Sequence, residues 1–376
     1  MPMSLTGTPF FLTCIALVIV AIVLPLGLWG RIGGPRLVRG LVRFFMLLFA
    51  QVTAIALVFV MVNNANSLFD TWDDLLGTAD HAGVAKDLGA DGLGGKKISD
   101  VPRQLQKFEP ATDPVMGAGV QQTQLKGRLS GVSGEVYVWL PPQYNDPAYR
   151  DKKFPVVEVL PGFPGSAKSW FGTLNAGEQL RPLMAQGKVK PFILVAPRTT
   201  LLGDVDTGCV NIPGKVNADT WLTVDVRKMV TDNFRASAKP GAWAVAGYSA
   251  GAHCAVKLAL AHPDRYRAGI GLSGYNDPAL ETKSLAGRDP KLREQSNPIN
   301  ILKAADAAGK PPRTALYISG ASGDGYQAGL GLQQLAKKPT TVKVKRIPSN
   351  AGGHSAAVWR NQVPEIFHWL SGLLKP

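Results

Sequence analysis

The most reactive arrangement in the chain is Gly247-Tyr248-Ser249-Ala250-Gly251, a Gly-x-Ser-x-Gly pattern. Before it, Ala242-Trp243-Ala244-Val245-Ala246 is a short apolar run that reads as a buried strand. After it, the Ala- and Leu-rich stretch from Ala252 to His262 reads as a helix. Strand, tight turn and helix form the setting that makes this pattern a nucleophile elbow. In so sharp a turn, side chains at 247 and 251 would collide with their neighbours. The serine hydroxyl is lifted clear of the backbone at the positive end of a helix. Outside that setting the same residues are only a serine in an ordinary turn.

A serine hydroxyl becomes a nucleophile only with a base beside it, and the base needs an orienting carboxylate. The order expected along the chain is serine, acid, histidine. Beyond Ser249 and its neighbour His253, three histidines remain. His262 ends the elbow helix and points away from the serine. His368 falls inside a last helix over 364–374. His354 lies in Ala351-Gly352-Gly353-His354-Ser355, a loop between a strand and that helix, and is the candidate base. His253, one turn along the elbow helix, either lines the pocket or, the favoured reading, is structural. Asp324 is the only carboxylate in Ser319-Gly320-Ala321-Ser322-Gly323-Asp324-Gly325 and is the candidate acid, with Asp277 and Asp306 in reserve. Two backbone N–H groups are needed for the oxyanion. Ala250 directly follows the serine, and Phe163 lies in the turn Gly162-Phe163-Pro164-Gly165, where Pro164 has no N–H to offer.

These residues need elements to place them. Apolar runs at 136–140, 154–160, 191–197, 242–246, 268–272, 315–319 and 341–347 read as seven strands. Helical stretches such as 221–233 and 252–262 lie between most of them. Near-continuous apolar strands alternating with helices predict an α/β fold, a mostly parallel sheet covered on both faces. The site is expected in the loops at the strands' carboxyl ends, where Ser249 falls.

The first 30 residues carry no charged side chain. Residues 10–29 and 44–62 are each close to the roughly 20 apolar residues that a membrane-spanning helix needs. A cleaved signal peptide would begin with a basic region, and this segment has none. The loop from Arg31 to Arg43 holds four arginines and no acid, which places it on the cytoplasmic side. The expected organisation is a two-helix transmembrane hairpin over 1–63 and a Gly-, Asp- and Ala-rich linker over 64–118 with a short helix at 67–76. A catalytic domain over 119–376 follows, outside the cytoplasm. Such a chain is a multi-pass protein of the cell membrane.

The formal net charge is +14. Hairpin and linker cancel, so the excess falls on residues 119–376. Outside a cell this suits anionic lipid headgroups or acidic wall polymers, and a dispersed, solubilising surface charge is the other reading. No nucleic-acid recognition module is present, and the topology argues against that partner. Cys14 lies within the first apolar helix as a small apolar residue. Cys209 and Cys254 fall in the outer region, where an oxidising compartment admits a disulfide between them, two buried free thiols being the alternative. No Cys/His cluster has zinc spacing, and neither metal nor cofactor is expected.

Several motifs in one order carry a family resemblance: Leu140-Pro141-Pro142-Gln143-Tyr144, the Gly247–Gly251 elbow, Ala261-His262-Pro263-Asp264, Ser273-Gly274-Tyr275, and Gly353-His354-Ser355 with Trp359 beyond it. Residues from about Val120 to Leu374 resemble the esterase D and antigen 85-type branch of the α/β-hydrolases, which includes the secreted mycolyltransferases. The resemblance implies an α/β-hydrolase fold and acyl-ester cleavage or acyl transfer through an acyl-enzyme. In it Ser249 is the nucleophile, His354 the base and Asp324 the acid. The mycolyltransferases carry Glu where this chain has Asp324, and their Asp-Gly-x-Arg loop is replaced by Leu160-Pro161-Gly162-Phe163-Pro164. The leading expectation is a membrane-anchored serine esterase acting on an acyl-ester or lipid substrate. Its alternatives are an acyltransferase that passes the acyl group to an envelope sugar or lipid hydroxyl, and a non-catalytic envelope-binding protein.

Overall fold

The structure is a computed structural model describing residues 3–89 and 91–376. The chain divides into two compact units, residues 1–76 and 77–376.

The first unit is built on two helices, α1 (Thr8–Leu28) and α2 (Arg36–Asn66), both long and apolar enough to cross a membrane. At 1.5 Å per residue, α1 spans about 31 Å, close to the hydrocarbon thickness of a bilayer. Only 11% of either helix's apolar window is buried, whereas the core helix of a soluble protein would be mostly covered. Cys14 and Ala21 on α1 and Thr53, Val60 and Asn63 on α2 are buried, while Leu12, Ile19, Phe44, Val52 and Ile55 face outward. A short helix, α3 (Trp72–Leu76), follows. Trp72 donates its indole N–H to the Met3 carbonyl at 2.8 Å and meets Phe10 edge-on. At the other end of the hairpin, the Arg43 guanidinium lies 4.9 Å from the Trp29 ring centre.

The second unit carries a nine-stranded sheet. Its strands are β1 (Glu109–Pro110), β2 (Val120–Lys126), β3 (Ser133–Trp139), β4 (Val156–Leu160), β5 (Ile193–Pro197), β8 (Trp243–Tyr248), β9 (Ala268–Leu272), β10 (Ala315–Gly320) and β11 (Thr341–Arg346). Strands β6 (Asn211–Ile212) and β7 (Val216–Asn217) form a separate small hairpin. The order across the sheet is β1-β2-β3-β5-β4-β8-β9-β10-β11. The first three strands pair antiparallel and the six from β5 to β11 run parallel. The parallel strands β4, β5, β8, β9 and β10 are buried at every residue, as helices on both faces require. Successive side chains alternate between two cores. Val156 and Leu160 join Val245, Trp221 and the elbow helix on one face. Val157 and Val159 join Ala244, Ala246, Leu180 and Phe367 on the other.

The 64–118 stretch divides between the units. Residues 77–118 lie with the nine-stranded sheet: Ser133 donates to the His81 carbonyl at 2.8 Å, and buried Gln104 donates to the Asp225 carboxylate at 3.0 Å. Ala82, Leu88 and Val101 are buried here, anchors too sparse to form a pattern in sequence. The short helix is narrower than 67–76, beginning at Trp72. The expected helix over 221–233 is instead a helical path with a π-turn at Trp221–Val226.

Candidate active site

Ser249 sits between the last residue of β8 and the first residue of the helix Ala250–Ala261. Its backbone adopts φ 55°, ψ −125°, a conformation that L residues rarely hold and that surrounding structure must impose. The crowding shows why glycines flank it. A Cβ at Gly247 would stand 2.0 Å from the Gly251 carbonyl oxygen, and one at Gly251 would stand 2.2 Å from that of Pro161. The Ser249 N–H is tied to the Leu272 carbonyl at 2.9 Å, locking the elbow onto β9.

Asp324 follows β10 in a turn so tight that a Cβ at Gly320 would lie 1.8 Å from the Asp324 carbonyl oxygen. His354 follows β11, after Gly352 and Gly353, both with positive φ (118° and 64°). Residues 249, 324 and 354 thus leave three different parallel strands at their carboxyl ends and converge. His354 Nδ1 lies 2.7 Å from Asp324 Oδ1, and His354 Nε2 lies 2.9 Å from Ser249 Oγ. The carboxylate can only accept, which assigns the proton to Nδ1 and leaves Nε2 to accept from the serine hydroxyl.

The candidate oxyanion donors lie beside Ser249. Ala250 is the first residue of its helix, so its N–H has no partner within the helix. The turn after β4 runs beside it: a Cβ at Gly162 would stand 3.1 Å from Ser249 Cβ. Phe163 is the next residue along that turn.

Aromatic rings support His354. His354 meets Trp359 edge to face, with ring centres 4.9 Å apart. Trp359 stacks on Tyr248 at 4.4 Å and donates its indole N–H to Ser273 Oγ at 3.0 Å. The Tyr248 hydroxyl donates to Ser169 Oγ at 2.7 Å. Burial pushes the Tyr248 pKa up to about 12, so the phenol stays neutral. Sequence reasoning gave Tyr248 and Trp359 no role in the site. The available signal was a large aromatic inside the elbow and another five residues after the histidine.

The remaining candidates lie elsewhere. His253 is buried, stacks on Tyr275 and sets Nδ1 3.0 Å from the Tyr275 carbonyl; burial pushes its pKa down to about 4. His262 is more than a helix end: its Nε2 is 2.7 Å from Asp219 Oδ1, and Lys257 lies 2.7 Å from the other oxygen. Burial alone would raise the Asp219 carboxyl, but His262 and Lys257 outweigh it and hold it well below the usual range. His368 bonds the Lys188 carbonyl. The reserve acids are paired elsewhere, Asp277 with Arg293 and Asp306 with Lys337. Cys209 and Cys254 are joined as a disulfide, which ties the loop after β5 to the elbow helix about one turn beyond Ser249.

Comparison with known proteins bears on this geometry. A family model described as "Putative esterase" matches residues 131–370. An uncharacterised protein of Corynebacterium glutamicum is 26% identical over 250 residues, 63% of this chain and 57% of that protein. An endo-1,4-beta-xylanase/feruloyl esterase of Xylanibacter ruminicola is 26% identical over 220 residues, 55% of this chain and 29% of that protein. The chain therefore spans just over half the length of the first relative and less than a third of the second. Among solved structures, a ferulic acid esterase aligns over 71% of this chain and 99% of its own, with a TM-score of 0.56 at 16% identity. An S-formylglutathione hydrolase from Agrobacterium tumefaciens covers 72% of this chain and 100% of its own, with a TM-score of 0.52 at 15% identity. At these identities the structural likeness speaks to the fold, which is that of the α/β-hydrolases.

Proposed function

The chain belongs to this esterase family, carboxylic ester hydrolases of α/β-hydrolase fold, and we propose that it is a membrane-anchored, extracytoplasmic serine esterase working through Ser249, His354 and Asp324. The observation that carries the reading is the chain of contacts Asp324–His354–Ser249, at 2.7 and 2.9 Å, ending on a serine held at positive φ.

The geometry supports the following course. Ser249 Oγ attacks the ester carbonyl while His354 Nε2 takes its proton, and Asp324 stabilises the imidazolium through Nδ1–H. The negative charge passes to the carbonyl oxygen, which the Ala250 and Phe163 N–H groups receive. Collapse breaks the ester C–O bond, and the alcohol leaves with the proton from Nε2. A water molecule then repeats the sequence on the acyl-enzyme, releasing the carboxylic acid and restoring Ser249. The His354 side chain is 48% exposed, so water can reach the base at that second step. For the anchor, the support is the pair of apolar helices with Trp29 and Trp72 at opposite ends, where interfacial tryptophans collect.

The test is a comparison of the full-length protein in uncharged detergent with its Ser249→Ala variant. Wild type is expected to turn over p-nitrophenyl acyl esters and to take a fluorophosphonate label, and the variant to do neither. A folded wild type that does neither would refute the reading. Release of free acid in the presence of an added sugar or glycerol acceptor separates hydrolysis from transfer.

A further inference from the structure

At the opposite end of the sheet from Ser249, the amino ends of β4, β5 and β8 surround a cavity of about 380 Å³. Its apolar walls are Tyr149, Phe154, Pro155 and Pro191, and four lysines line it, Lys152, Lys153, Lys190 and Lys239. Among the residues lining it there is no acidic side chain. Each lysine comes from a segment leading into a strand: 152 and 153 before β4, 190 before β5, 239 before β8. None of the four is paired with a carboxylate side chain among the described residues. Pro376 also lines the cavity, and Lys239 points to an oxygen of its terminal carboxylate at 3.5 Å; Lys190 points to the Leu374 carbonyl at 3.4 Å, and Lys152 lies over the Tyr149 ring at 4.3 Å.

We propose that this cavity binds an anionic amphiphile, its carboxylate or phosphate head among the four ammonium groups and its apolar body against Tyr149, Phe154, Pro155 and Pro191. The size falls within the range of about 300–1,000 Å³ typical of small-molecule pockets. Four exposed ammonium groups against one terminal carboxylate leave the cavity an excess of positive charge, which an anionic head would neutralise. A neutral apolar guest would leave that excess in place, and a bare anion would leave the floor wet. The five residues of β4 separate cavity and elbow by about 16 Å, so the site is distinct from the catalytic one and does not depend on it.

The experiment reads lysine acetylation by mass spectrometry in the full-length protein in uncharged detergent. Samples carry decanoate, decanol, inorganic phosphate or no addition. Decanoate is expected to protect Lys152, Lys153, Lys190 and Lys239 in a saturable, salt-weakened way and to leave Lys303 and Lys310 unprotected. Decanol and phosphate at the same concentration are expected not to protect. Neutralising three heads in Lys152→Gln/Lys190→Gln/Lys239→Gln should weaken protection of Lys153 about tenfold or more. Ser249→Ala should leave it unchanged. Equal protection by phosphate would show a simple anion site and overturn the proposal. So would protection spread evenly over surface lysines, or no protection of the four lysines by decanoate.

Discussion

Asp324 touches His354 through one carboxylate oxygen, at 2.7 Å. Replacing that oxygen acceptor with an amide leaves the volume unchanged but lets the imidazole settle with its proton on the nitrogen that must accept from Ser249. Asp324→Asn is therefore expected to lower kcat by roughly 10⁴ with little change in stability, read from ester turnover and melting temperature. A loss of tenfold or less would mean that another group orients His354. Trp359 is the other residue that fixes the ring, through an edge contact, a stack on Tyr248 and a bond to Ser273.

At the scale of elements, the elbow depends on two backbones passing within van der Waals distance. Gly247→Ala would force a Cβ to 2.0 Å from the Gly251 carbonyl oxygen, in backbone that cannot move without dragging β8 off the sheet. Loss of the folded enzyme is expected, read as insolubility or a fall of ten degrees or more in melting temperature, roughly 5 kcal/mol or above. Gly372→Ala is the contrast: it lies in the last helix with nothing within 4 Å of the added Cβ. It should stabilise slightly, by about 0.5–1 kcal/mol. Strand β4 carries a second expectation. Glu158 is fully buried, accepts a hydrogen bond from Tyr266 at 2.6 Å, and burial pushes its pKa from 4.5 up to about 8. Between those values the unfolded chain has released this proton and the folded chain has kept it. Glu158 thus lowers stability as pH rises through that window, by about 1.4 kcal/mol per pH unit at most, and adds no further slope above it. Glu158→Gln keeps an acceptor for Tyr266 and cannot ionise. Its melting temperature should decline less between pH 5 and pH 8 than that of wild type, and parallel curves would contradict the assignment.

For the whole molecule, the reading is an esterase unit held at a membrane by two helices whose connecting loop is basic. That loop is expected in the cytoplasm, so both ends of the hairpin and everything after it lie outside. Alkaline phosphatase fused after Pro376 should be active and a cytoplasm-dependent fluorescent reporter at the same place dark. The reverse pattern would invert the topology.

Much of this was legible without a structure, for physical reasons that differ by feature. The elbow could be read because its steric demands act over five consecutive residues, so the glycines must sit beside the serine they serve. Strands β4, β5, β8, β9 and β10 could be read because burial on both faces excludes charged side chains; Glu158 is the exception, and its environment answers for it. The two apolar helices declared themselves because each needs about twenty apolar residues in a row. Asp324 and His354 followed from chain order and loop position. Their convergence to 2.7 and 2.9 Å is a property of the sheet, which sets residues 249, 324 and 354 at the ends of different strands. Other features were decided only in three dimensions, because they join segments far apart in the chain. Buried Asp219 pairs with His262, Gln104 with Asp225, and Trp359 with Ser273. Residues 77–118 bury a few scattered side chains on the sheet, and four lysines from three segments meet around one cavity. Local sterics and burial leave a pattern in sequence; long-range pairing leaves none until the chain has closed on itself.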